Sequence, residues 1–279
     1  RAGNIPVPRC GGPDNAWTVS QEEWGVTGNS LPMKALENAA NQDAPFFLAI
    51  GYKQAHEPWN PSADSLNKYD IDKIEPEGDG NIYKGNELSE FEIRKLTRAY
   101  FASITDADRL VGEIIQRAKE LDLYENTIIL VGAMDHGFSL GEHGRWGKGN
   151  NYDTETQVPL LIRVPGNPNN GKPAAGITEL VDLYPTLVDL CGLPQPPQKL
   201  EGVSLRDLLY NPERAVKKAA FTHRAYHMND RAVKTTQYTL IVRSGGSVEL
   251  YDRIADPKNR NDISASRPDI VKEMKQLLD

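Results

Sequence analysis

The run Thr127-Ile128-Ile129-Leu130-Val131-Gly132 constrains this chain more than any other stretch. It is apolar, β-branched and uncharged, and it leads directly into Asp135-His136-Gly137 and then Gly141-Glu142-His143-Gly144-Arg145-Trp146-Gly147-Lys148. A short run of this kind reads as a strand buried in a parallel sheet. Asp135 and His136 then sit at its carboxyl end, where open α/β sheets bind their ligands. The glycines at 137, 141 and 144 let the chain turn back over a bound group.

The remaining pattern organises itself around that strand. A helix is expected from about Leu31 to Asn41, and a strand from Phe46 to Ile50 delivers a loop holding His56. Residues 62–88 are polar and rich in Asp, Lys and Gly, and read as a long excursion of the sort that shapes a binding mouth. Ser89 is placed to cap a long helix to about Leu121, with Ile93, Leu96, Tyr100, Ile104, Val111, Ile114, Ile115 and Ala118 on its apolar positions. Strand, helix and strand in this order make a right-handed βαβ crossover the default. A strand over Pro159 to Arg163 and a helix over Glu179 to Cys191 follow.

Pro194, Pro196 and Pro197 mark the expected break between residues 1–193 and 194–279. Beyond it, Ala219 to Arg224, Tyr238 to Arg243 and Val248 to Tyr251 have the look of strands, with a hairpin turn at Ser244-Gly245-Gly246. An amphipathic helix from Arg267 to Leu278 closes the chain and is expected to pack on them. The expected fold class is therefore α/β, a mostly parallel sheet flanked by helices, with a small C-terminal antiparallel α+β subdomain.

The segment from Asp135 to Lys148 resembles the second metal-binding motif of the type I sulfatases, in the alkaline phosphatase superfamily. The pattern is most similar to the iduronate-2-sulfatase branch, in which His follows the metal-binding Asp. Ordered matches run along the whole chain: Pro45-Phe46-Phe47-Leu48-Ala49-Ile50-Gly51-Tyr52 with His56-Glu57-Pro58-Trp59, Tyr100-Phe101-Ala102-Ser103, Val158-Pro159-Leu160-Leu161-Ile162 and Val164-Pro165-Gly166. Glu179 to Leu187, Glu249-Leu250-Tyr251-Asp252 and Asp256-Pro257 extend them. Two departures stand out. Met134 occupies a position where the family has a small Ser, and Lys53-Gln54-Ala55 replaces the usual His-Lys-Pro before His56.

The resemblance implies an activity and a division of roles. The implied reaction is hydrolysis of sulfate esters on a sulfated sugar or polysaccharide, such as a glycosaminoglycan, by a metal-bound formylglycine nucleophile. The family's Cys/Ser-x-Pro-x-Arg motif and its paired metal aspartates have no match here, since Cys10 runs into Gly11-Gly12-Pro13 and Cys191 into Gly192-Leu193-Pro194. The chain is accordingly expected to be the C-terminal part of an enzyme that is complete only with an N-terminal segment as its partner. By resemblance Asp135 and His136 are metal ligands, Lys148 holds the sulfate, and His56 contacts the sulfate and assists the leaving group.

The residue chemistry agrees with those roles and leaves alternatives open. Carboxylate oxygens suit Ca²⁺, with Mg²⁺ second, whereas imidazole suits transition metals better. Asp135 also fits a turn cap, and His136 a core histidine bonded to a carbonyl. Lys148, a flexible point charge after a Gly-rich loop, can hold a sulfate oxygen or sit in solvent. His143 and Trp146 are candidate substrate contacts, with loop packing as their other reading. Glu57, Trp59, Phe138 and Tyr152 are candidate pocket walls.

A phosphodiester or phosphonate monoester hydrolase of the same superfamily is one competing function, and a non-catalytic sulfatase-like protein another. The second is disfavoured because Asp135, His136, Lys148 and His56 are all present. A formal net charge of −7 argues against nucleic acid as a partner, yet a local cluster of Arg145, Lys148 and a metal can still collect an anion. No apolar run is long enough to span a bilayer. Of the two cysteines, Cys191 reads as a buried thiol and Cys10 as the better disulfide candidate. No Asn-x-Ser/Thr sequon without Pro occurs, which favours a bacterial source. The resemblance implies an exported, periplasmic or secreted protein, or a lysosomal one. Oligomeric state is not legible.

Overall fold

A computed structural model describes residues 18–19, 29–78, 80–224 and 228–278, so Cys10 lies outside the described residues. In chain order the elements are β1 (Thr18–Val19), α1 (Ser30–Ala40), β2 (Ala49–Ile50), α2 (Ala63–Leu66), β3 (Ile82–Tyr83), β4 (Asn86–Glu87), α3 (Glu90–Glu120) and β5 (Ile129–Gly132). There follow β6 (Ser139–Leu140), β7 (Trp146–Gly147), α4 (Asp153–Thr156), β8 (Leu160–Arg163), α5 (Leu183–Leu190) and α6 (Arg206–Tyr210). The chain ends with β9 (Ala220–Arg224), β10 (Asp230–Lys234), β11 (Tyr238–Val242), β12 (Val248–Asp252) and α7 (Pro268–Lys275). Two compact units result, Arg1–Pro76 with Glu87–Ile128 and Glu77–Asn86 with Ile129–Asp279, and the expected break after 193 falls inside the second.

In the first unit α3 is the organising element. Ser89 and Glu92 form a reciprocal capping box: the Glu92 N–H donates to Ser89 Oγ, and the Ser89 N–H donates to the Glu92 carboxylate at 2.8 Å. Glu90 and Glu92 in the first turn and Arg117 and Lys119 in the last oppose the helix dipole. The buried stripe differs from the expected apolar one, because it includes Thr97, Ser103 and Asp106 while Ile104 is exposed. Asp106 is buried because it has donors, as described below. The polar excursion after residue 62 is also more ordered than expected. Arg98 donates to the carbonyls of Tyr69 (2.7 Å) and Leu66 (3.0 Å), and Arg94 to that of Ile74 (2.6 Å), so the helix satisfies backbone groups that would otherwise need water.

In the second unit β12-β11-β10-β9 form an antiparallel sheet in that order. Its strands alternate strictly. Val233, Leu240 and Leu250 face α7, where Met274 completes a core with Ile270 and Val271 against it. Ala232, Ile241 and Tyr251 face the other way, onto Tyr152. Burying side chains of this size stabilises by about 1.5–3 kcal/mol each. The closing helix therefore packs as its pattern required, and β10 is a strand that the pattern did not reveal. Its terminal Asp230 and Lys234 look like solvent residues, but both are buried against ion partners.

Two expectations are corrected here. β5 was read as a parallel strand, yet it pairs antiparallel with β8, Ile129 opposite Arg163 and Gly132 opposite Leu160. β5 is also half-buried along its whole length where a buried strand was expected, and strand direction depends on the connection, which an apolar β-branched run does not encode. Parallel pairing is seen between β1 and β2. Cys191, read as a buried thiol, is exposed at the C-cap of α5, because the buried positions of that helix are Thr186 and Val188. Among the described residues, no helix is long and apolar enough to cross a membrane.

Candidate active site

His56 belongs to the first unit and is held by the ends of its loop. At the start, the Tyr52 hydroxyl donates to Asn29 Oδ1 at 2.5 Å, and the Asn29 amide donates to Glu113 and to the carbonyl of Leu110 on α3, both at 2.9 Å. Burial and the nearby Glu113 charge push the Tyr52 phenol up to about 12. At the far end, Asp106 accepts from the Ser62 N–H (2.6 Å), Ser62 Oγ (2.7 Å) and Ser65 Oγ (2.8 Å). Burial alone would raise the Asp106 carboxyl, and these donors outweigh it and hold it low. Between the anchors, the His56 N–H donates to the Lys53 carbonyl, and the Trp59 indole donates to that of Ala55 while packing edge-on against Tyr100 at 5.4 Å. The His56 ring is exposed, with Nδ1 2.6 Å from the Glu57 carbonyl. A carbonyl only accepts, so Nδ1 donates in this contact.

Asp135 and His136 lie in the second unit just beyond β5, and the structure brings them together. His136 Nε2 is 3.1 Å from Asp135 Oδ2, and the Asp135 side chain is 81% exposed. His136 Nδ1 is 2.8 Å from the Gly137 carbonyl, which only accepts, so Nδ1 donates there and Nε2 is the nitrogen beside the carboxylate. Gly137 itself is pinned. Its N–H donates to the Glu155 carbonyl at 2.8 Å, and a Cβ there would fall 2.2 Å from the Thr154 carbonyl oxygen. Only glycine permits that approach.

Lys148 and Arg145 are exposed on the loop that follows. β6 and β7 pair antiparallel, Ser139 opposite Gly147 and Leu140 opposite Trp146, so Lys148 emerges at the end of a two-stranded ladder. The other two candidates are packed into the scaffold. The Trp146 indole N–H donates to the Gly80 carbonyl at 2.6 Å, and its ring rests on Tyr83 at 5.8 Å. His143, in the left-handed region at φ 53°, stacks face to face on Tyr152 at 3.7 Å and meets the edge of Tyr251 at 6.1 Å. Burial pushes the His143 imidazole below its ordinary value. In these placements both residues support the loop.

Beneath the loop lies a buried ion network that joins Tyr152, a candidate pocket wall, to Glu249 and Tyr251 of the late family match. Tyr152 and Tyr251 donate their hydroxyls to Glu249 at 3.0 and 2.8 Å, and Arg243 Nε donates to it at 2.7 Å and pairs with Asp230 at 3.2 Å. Burial opposes the Glu249 charge, but the Arg243 and Tyr251 donors prevail and hold it low. Asp153 pairs with Lys234 and, at 2.8 Å, with Arg253, and its N–H donates to Asn259 at 2.9 Å. Segment 150–157 is thereby clamped to the C-terminal sheet. Among the described residues, no group of three or more His, Cys, Asp and Glu could hold a metal, so Asp135 and His136 supply at most two ligands of such a site.

The architecture is the alkaline-phosphatase-like α/β fold. A solved structure in complex with its substrate D-glucosamine-2-N,6-O-disulfate superposes with a TM-score of 0.75 at 23% identity, covering 88% of this chain and 67% of that one. A phosphonate monoester hydrolase of Agrobacterium radiobacter superposes with a TM-score of 0.74 at 22% identity, covering 89% and 58%. At these identities the likeness concerns the fold alone. The chain belongs to the sulfatase family, whose model matches residues 10–193, and residues 141–279 match the family described as N-sulphoglucosamine sulphohydrolase, C-terminal. Mouse iduronate 2-sulfatase is 31% identical over 218 residues, covering 60% of this chain and 39% of that protein. The chain spans between 39% and 55% of the length of the first curated relatives that it matches.

Proposed function

We propose that the whole protein hydrolyses sulfate esters of a sugar, with this chain supplying the metal-side and anion-side groups and a segment outside it supplying a formylglycine nucleophile. The observation that supports this reading is the pairing of Asp135 and His136 just beyond β5, with His136 Nε2 3.1 Å from Asp135 Oδ2, in a segment that lies within the match to the sulfatase family model. The hard oxygens of Asp135 favour Ca²⁺, with Mg²⁺ second. When bound, the ion polarises the ester and opposes the charge on the sulfate. Lys148 brings a fixed positive charge to a sulfate oxygen, a contact that matters most as charge builds in the transition state. His56 delivers a proton from Nε2 to the departing alcohol.

Relatives named for sulfated sugars favour a sugar ester, since iduronate 2-sulfatase and an N-acetylglucosamine-6-O-sulfatase of Bacteroides thetaiotaomicron are among them. An exported or lysosomal location goes with such a substrate. The likeness to a phosphonate monoester hydrolase supports a second reading. Turnover by the full-length enzyme of nitrophenyl sulfate and of a nitrophenyl phosphonate monoester separates the two. Faster sulfate hydrolysis is expected, and a preference for the phosphonate ester would overturn the proposal.

A further inference from the structure

Lys148 stands between Gly147 and Gly149, both at positive φ (123° and 99°), so its own backbone neighbours do little to fix it. What brackets it is one carboxylate. Glu155 is 1% exposed, and Ser139 Oγ donates to its Oε1 at 2.7 Å while the Asn150 N–H donates to its Oε2 at 2.6 Å. Ser139 is the cross-strand partner of Gly147, the residue before Lys148, and Asn150 follows Gly149. The Glu155 carbonyl also accepts from Gly137, next to His136. A single buried residue therefore grips the loop on both sides of Lys148 and at its other end, and segment 150–157 ties that residue to the C-terminal sheet through Asp153.

We infer that Glu155 is a positioning residue for Lys148, setting where its ammonium meets the anionic substrate. The inference rests on the proposed role of Lys148. Among the described residues the groups that donate to Glu155, Ser139 Oγ and the Asn150 N–H, are neutral, so directed O–H and N–H groups offset the carboxylate's negative charge. A positioning group of this kind acts on a contact that strengthens in the transition state, and its loss appears in kcat more than in KM.

The test is carried out on the full-length enzyme with nitrophenyl sulfate. Glu155→Gln keeps the shape but presents an amide to one of the two donors. It should lower kcat by about tenfold, with KM changed less than about threefold. Amide hydrogen exchange over residues 139–150 should rise while β10–β12 stay protected. Ser139→Ala, a small change that leaves Asn150 in place, should lower kcat in the same direction by a smaller factor and covers the case in which Glu155→Gln does not fold. Wild-type kcat per folded molecule in Ser139→Ala, or in a folded Glu155→Gln, would overturn the inference. So would a loss confined to thermal stability. A Lys148→Ala control with unchanged kcat would instead defeat the underlying reading of Lys148, which keeps the two failures apart.

Discussion

Asp153→Asn should destabilise the second unit far more than the loss of an ordinary ion pair. The Asp153 side chain is 5% exposed, Lys234 is 8% exposed and Arg253 is 17% exposed, and all three meet around one carboxylate. At the 2.8 Å that separates Arg253 Nε from Asp153, an effective dielectric constant of about 20 gives roughly 6 kcal/mol of gross attraction, most of it offset by desolvation. The measurable quantity is the cost of leaving the Lys234 ammonium buried against a neutral amide, about 3–5 kcal/mol. With a urea m-value of about 2 kcal/mol/M, the unfolding midpoint should fall by roughly 1.5–2.5 M.

The same variant predicts a pH dependence. Burial alone would raise the Asp153 carboxyl, and Lys234 and Arg253 hold it below its ordinary value. Its contribution is therefore fully present above the unfolded-state value of about 3.9 and is lost as pH falls through the lower native value. Urea melts of wild type and Asp153→Asn, followed by circular dichroism, should differ widely at pH 7 and converge in acid. Asp153→Asn combined with Lys234→Met should recover part of the loss, since it removes the uncompensated charge. A single-variant cost below about 1 kcal/mol, the range of solvent-exposed pairs, would refute the reasoning.

In the full-length enzyme, Lys148→Ala should slow every sulfate ester alike, whereas His56→Ala should slow sugar sulfates at least about tenfold more than nitrophenyl sulfate, whose leaving group needs little protonation. Equal losses for both esters in His56→Ala would reject the proton-donor role. Elemental analysis should return calcium ahead of magnesium, and Asp135→Ala should lower its occupancy; zinc at one equivalent in both proteins would point to a different site. The His143 imidazole is held below its ordinary value by burial, so the native state binds fewer protons than the unfolded chain just below pH 6.5. Its contribution to stability is present above that pH and lost as pH falls. Melting temperatures between pH 7 and 5 should decline less steeply in His143→Phe, which keeps the stack on Tyr152; an unchanged slope would dismiss His143 as the titrating group.

The family and the broad α/β class were legible in the order of short motifs, because each motif is a local strand–loop unit whose residues are neighbours in sequence. The capping box at Ser89 and Glu92 and the helix after it were legible for the same reason, as was α7, whose apolar stripe faces the sheet. Strand direction was not, since β5 meets β8 only after the whole loop that carries Lys148. The polar residues of β10 and of segment 150–157 carried no sequence signal, because a buried charge resembles a solvated one until its partner is known. Asp153 finds Lys234 and Arg253, and Asp230 finds Arg243, across distances in sequence that no local pattern spans. Sequence thus named candidate groups for the chemistry; the tertiary structure packs His143 on Tyr152, bonds Trp146 to Gly80 and sets Glu155 against the loop on both sides of Lys148, contacts that form only when distant segments pack.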